Sequence, residues 1–169
     1  MQRRTLLRLG LGAGAVLAAA GYGVAIWSPG LAADGRLGDG ARQIFSSVAA
    51  AVLEGNLPEP PAERQTALAA HLARVQTAIG GLPPATRQEL SDLLALLSTA
   101  PGRLLLTGLP VAWAEAETRQ TQAALQTMRR SSSQTRQQVY QALRELTVAA
   151  YFSDASTWQQ LGYPGPLKI

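Results

Sequence analysis

A chain of 169 residues without a single cysteine is excluded from several chemistries at once. It has no thiol nucleophile, no disulfide scaffold, no cysteine-held iron–sulfur cluster, and no C-x-x-C-H attachment for a c-type haem. The formal net charge of +4 looks basic, but three of the fifteen basic residues are Arg3, Arg4 and Arg8. Twelve remain from Asp34 onward against eleven acids, which gives little footing for nucleic-acid binding.

The first element in chain order is an export leader. Arg3, Arg4 and Arg8 precede an uncharged run from Leu9 to Trp27, and no acid occurs before Asp34. The pair Arg3-Arg4, followed by Leu6 and Leu7, resembles the twin-arginine leader, which carries folded cargo across the bacterial inner membrane through the twin-arginine translocase. The uncharged run is 19 residues long, and a spanning helix needs roughly 20, so length permits a membrane anchor. Five glycines (10, 12, 14, 21 and 23) weaken it as a helix. Small residues suited to leader peptidase stand at Ala18-Ala19-Ala20 and at Gly30-Leu31-Ala32-Ala33, and cleavage near Ala32 or Ala33 is favoured. Residues 1–33 therefore read as signal peptide or anchor, and 34–169 as one domain.

That domain reads as helix throughout, an all-α, small multi-helix bundle. Alanine, leucine, glutamine, arginine and glutamate dominate it, and no stretch alternates with period two. A glycine-rich link covers Gly30 to Gly40. Ile44, Phe45, Val48, Val52 and Leu53 put one apolar stripe on a helix from about Ala41 to Glu54. Pro58, Pro60 and Pro61 stiffen the connection to a second helix, striped by Leu68, Leu72, Val75 and Ile79 and ended at Gly80-Gly81. Pro83-Pro84 opens a third, with Leu90, Leu93, Leu94 and Leu97. A short helical piece spans Arg103 to Leu109. A longer helix is expected from Val111 to Met128, with Trp113, Ala116, Ala124, Leu125 and Met128 inward. Ser132 or Ser133 caps the next helix, striped by Val139, Leu143, Leu146 and Ala150. A last short helix runs from Ser153 to Leu161, stopped by Gly162.

No catalytic, cofactor-binding or metal-ligating set can be assembled from these residues. His71 is the only histidine, with no second imidazole or thiol to share a metal, and reads as a surface or partly packed structural residue. Glu115 and Glu117 point to different helix faces. Glu89 and Asp92 edge a leucine stripe, and Ser131 to Ser133 lack a base. The unusual stretch is the last: four of the nine aromatics lie between Tyr151 and Pro166. Large aromatics in a Pro/Gly-rich tail either fold back on the body or anchor another protein.

The pattern Tyr151-Phe152, five residues, Trp158, two residues, Leu161-Gly162-Tyr163-Pro164-Gly165-Pro166 resembles the C-terminus of the gluconate 2-dehydrogenase subunit 3 family. The leader at Arg3-Arg4, the Phe45–Leu53 helix followed by Leu57-Pro58, and Leu106-Thr107-Gly108-Leu109 with Trp113 fit the same resemblance, while Ser131 to Gln138 departs from it. The family's members are small helical subunits of periplasmic, inner-membrane-associated dehydrogenases. The resemblance implies a non-enzymatic chain without a cofactor of its own. Its partner would be a large glucose–methanol–choline-type flavoprotein that binds FAD and oxidises a sugar, sugar acid or alcohol, often joined by a cytochrome subunit. It also implies that the small subunit's leader exports both proteins, with Tyr151, Phe152, Trp158, Leu161, Gly162, Tyr163, Pro164, Gly165 and Pro166 at the interface. The alternative is a free-standing exported or membrane-anchored helical binding protein.

Overall fold

The computed structural model describes residues 28–162. They form six α-helices and a terminal 3-10 helix: α1 Asp39–Val52, α2 Pro61–Gly80, α3 Pro84–Ser98, α4 Ala100–Thr107, α5 Thr118–Arg129, α6 Gln134–Phe152, and the 3-10 helix Ala155–Leu161. The described residues contain no strand beyond one isolated antiparallel bridge, Leu31 to Leu37. The expected all-helical bundle is what is observed.

The bundle is built around α1. Ala41, Ile44, Phe45, Val48 and Ala49 are completely buried, and their spacing of three, one, three and one gives a broad apolar face. Burial of each large side chain contributes about 1.5–3 kcal/mol, and here the helix is covered by α2, α3, α5 and α6 together. Ser47 sits close enough to α5 for its hydroxyl to hydrogen-bond that of Thr121 at 2.7 Å. Leu72, Val75 and Ile79 of α2, Leu90, Leu94 and Leu97 of α3, and Val139 and Leu143 of α6 complete the core.

Two stretches differ from their sequence-based expectation. The helix expected from Val111 begins only at Thr118. Gly108, in the left-handed region at φ 75°, ends α4, and Pro110 follows it. The chain then turns inward so that Trp113 is buried and its indole N–H donates to the Leu97 carbonyl at 2.8 Å. A regular helix through Val111–Glu117 would take Trp113 away from that carbonyl. The side chain of Gln120 accepts from the backbone N–H of Glu117 at 2.9 Å, which fixes the true helix start. The glycine-rich link from Gly30 to Gly40 is packed into the body. Leu31 and Leu37 are both in the core, and α1 starts at Asp39.

His71 is the second difference. It lies three residues after Leu68 and four before Val75, on the inward stripe of α2, and it is completely buried rather than at the surface or partly packed.

Candidate functional site

The C-terminal motif is held by α6 and by the cap that follows it. Ser133 caps α6 at its start, accepting from the Arg136 N–H at 3.5 Å. At its end Tyr151 is buried and its hydroxyl donates to the Asn56 carbonyl at 2.8 Å, tying the end of α6 to the turn after α1. Phe152 stands edge-on to Tyr151, ring centroids 5.1 Å apart at 83°. The chain then wraps into the 3-10 helix around Asp154. Its carboxylate accepts from the Ser156 hydroxyl at 2.7 Å and the Ser156 N–H at 3.0 Å, and pairs with Arg74 of α2 at 3.0 Å. Trp158 is half-buried, and its indole N–H donates to the Phe152 carbonyl at 2.7 Å. Gly162, at φ 66°, closes the helix.

The structure thus brings Tyr151, Phe152 and Trp158 together, but Tyr151 acts inside its own fold. Phe152 and Trp158 are half-buried and keep part of their surface outward. The backbone of Leu161 lies in the 3-10 helix. Tyr163, Pro164, Gly165 and Pro166 lie outside the described residues, as do Arg3, Arg4, Leu6 and Leu7 of the leader.

Among the described residues the large apolar side chains that are most exposed lie elsewhere. Leu104 and Leu105 of α4 are 54% and 63% exposed. The outward positions of this helix and its cap are Ala100, Pro101, Leu104, Leu105 and Gly108. They recur at helical spacing and include no polar side chain, so one ridge of α4 is apolar over its whole length. The ridge is rigidly mounted. Thr99 caps it, accepting from the Gly102 N–H at 3.1 Å. The buried Arg103 donates through Nε to the Leu109 carbonyl at 3.4 Å, Thr107 donates to the Arg103 carbonyl at 2.8 Å, and Leu109 N–H donates back to Thr107 at 3.1 Å. Arg136 of α6 reaches across to the Leu105 carbonyl. Sequence reading included this segment as a short apolar helix but did not single out its two leucines. Which face of an eight-residue helix is covered depends on packing from α3, α5 and α6, not on its own pattern.

The other polar features are internally satisfied or isolated. A shallow cleft of about 450 Å³ between α1, α5 and α6 is lined by Ala51, Arg119, Gln122, Leu125 and Tyr140, among others. Gln122 crosses it to donate to the Ala51 carbonyl at 3.2 Å and to Glu54. Gln88 of α3 donates to Asp92 at 2.9 Å. Neither ring nitrogen of His71 has a hydrogen-bond partner in the structure. Burial, and secondarily the charge of Arg74, hold its pKa down at about 4, so the ring is neutral. Burial pushes the Tyr151 hydroxyl up, and the hydrogen bonds from Ser156 hold Asp154 below the usual carboxylate range. Among the described residues no group of three or more His, Asp or Glu side chains is placed to hold a metal ion. No described helix is long and apolar enough to cross a membrane. In comparisons with known proteins, no family model, no curated protein and no solved structure matches the chain.

Proposed function

We propose that this chain is a non-catalytic subunit that binds, stabilises and co-exports a flavin-dependent dehydrogenase of the glucose–methanol–choline type, acting at the periplasmic side of the inner membrane. The observation that carries a partner-binding role is the exposed ridge of α4, whose own outward side chains are all apolar, with Leu104 and Leu105 at its centre. Leu104 and Leu105 keep more than half of their surface in solvent, and covering that remainder would gain roughly 1–2 kcal/mol each, the share of the ~1.5–3 kcal/mol of full burial not yet realised within the chain. The flavoprotein identity of the partner rests on the resemblance carried by Tyr151 to Pro166, and the export role on Arg3 and Arg4. One observation favours the second reading, a free-standing exported helical binding protein: Trp113 and Tyr151 are buried within the chain itself.

Export separates the two readings. With Arg3→Lys and Arg4→Lys combined, this chain and the flavoprotein are both expected to remain in the cytoplasm, read by cell fractionation and dehydrogenase activity of the periplasmic face. Normal export of the flavoprotein in that variant would refute the escort role.

A further inference from the structure

The segment joining the leader to the bundle is folded against α3. Gly30 is buried and donates its N–H to the Ser91 carbonyl at 3.3 Å. Leu31 is buried, and its N–H donates to the Ser91 hydroxyl at 3.0 Å. The chain then turns through Gly35, at φ 80°, with hydrogen bonds from Ala32 to the Arg36 carbonyl and from Gly35 to the Ala32 carbonyl, both 2.8 Å. Leu37 returns to the core opposite Leu31, and Gly38 N–H closes on the Gly30 carbonyl at 2.9 Å. The fit leaves no slack. A Cβ at Gly30 would stand 2.5 Å from the Leu94 Cβ and from the Ser91 carbonyl oxygen, an approach only glycine permits.

We propose that residues 28–38 are a strap of the folded body, and that folding closes the leader-peptidase site at Ala32 and Ala33. This rests on the twin-arginine reading of Arg3 and Arg4, because only a cargo that folds before export meets the peptidase with the strap already seated. A peptidase takes its substrate extended and reads the first and third residues before the cut. For a cut after Ala32 the third residue is Gly30, small as the pattern requires, and for a cut after Ala33 it is Leu31, whose size already disfavours that cut. Both are buried against α3, although Ala32 and Ala33 themselves are exposed. Cutting there requires that the Leu31–Leu37 pair first leave the core, so the rate is limited by the fraction of molecules so opened. The exported body therefore keeps Ser28 onward. If Ala18–Ala20 is also left uncut, Leu9 to Trp27 remains attached as a tether.

The test uses the purified full-length chain in detergent micelles with purified leader peptidase, read by intact mass. Leu37→Ala and Ser91→Ala loosen the strap from outside the residues that the peptidase reads. The wild type is expected to give only full-length chain or a product beginning at Gly21. The variants are expected to yield chains beginning at Ala33 or Asp34 at least about tenfold faster. Two results would overturn the strap: wild-type chain cut to Ala33 or Asp34 as fast as the variants, or variants as resistant as the wild type. Envelope fractionation of the wild type, scored separately, tests the export reading. A chain found only in the cytoplasm refutes that reading without altering the result with purified components.

Discussion

Replacing Leu104 and Leu105 together by aspartate is expected to detach the proposed flavoprotein partner while leaving the helical body folded. Both side chains are more than half exposed in the isolated chain, so at each position less than half of a fully buried leucine's packing is lost. Aspartate within α4 costs a few tenths of a kcal/mol of helix propensity per position. Folding stability should therefore fall by roughly 2–3 kcal/mol, within the ~5–15 kcal/mol margin of an ordinary domain. In the proposed complex the same change removes two apolar contacts of roughly 1–2 kcal/mol each and places two carboxylates in an apolar interface. At about 1.4 kcal/mol per factor of ten, affinity should fall at least about 100-fold. Affinity measured by titration of the purified partner, beside a melting curve of each variant, reads both effects. Unchanged affinity in a folded double variant would remove α4 from the interface.

A loss of stability in mild acid, centred on one histidine, is the second large expectation. His71 is completely buried, neither ring nitrogen is hydrogen-bonded, and its pKa is held at about 4 against an ordinary 6.5. The unfolded chain therefore binds this proton more readily than the folded one. Stability from this group is intact above pH 6.5, falls as pH drops from 6.5 toward 4, and levels off below 4. At about 1.4 kcal/mol per pKa unit the total loss approaches roughly 3 kcal/mol. Asp154 works in the same direction but in a lower window, since its pKa lies below 3.8 and its stabilisation is lost only as pH falls through that value. His71→Leu should flatten the curve between pH 6.5 and 4 and leave the lower limb. Urea unfolding at half-unit pH steps checks it, and an equal slope in the variant would assign the acid loss to another group.

These outcomes also show where sequence patterning was sufficient. The periodicity of Ile44, Phe45 and Val48, of Leu72, Val75 and Ile79, and of Val139 and Leu143 placed three helices and their inward faces, because each stripe is covered by several neighbours. It failed at Val111–Glu117, where alanine and glutamate favour a helix but one tertiary hydrogen bond, from Trp113 to the Leu97 carbonyl, draws the chain inward. At Gly30–Gly40 patterning gave only a glycine-rich link. Gly30 there marks a close approach to α3, and a single sequence does not distinguish that from a free connection. His71 was placed on the correct helix, but its full burial depends on the fit of α2 against α6, through Tyr151 and Arg74. The candidate interface was the least legible. Of the C-terminal aromatics, Tyr151 turned inward to Asn56, whereas the most exposed apolar pair among the described residues lies on α4.

Purification of the tagged full-length protein from its native envelope, followed by an absorption spectrum and mass spectrometry of the eluate, tests the central claim most directly. The account predicts a stable complex with a large flavoprotein and the spectrum of oxidised flavin. A colourless, monodisperse monomer from the same envelope would contradict it.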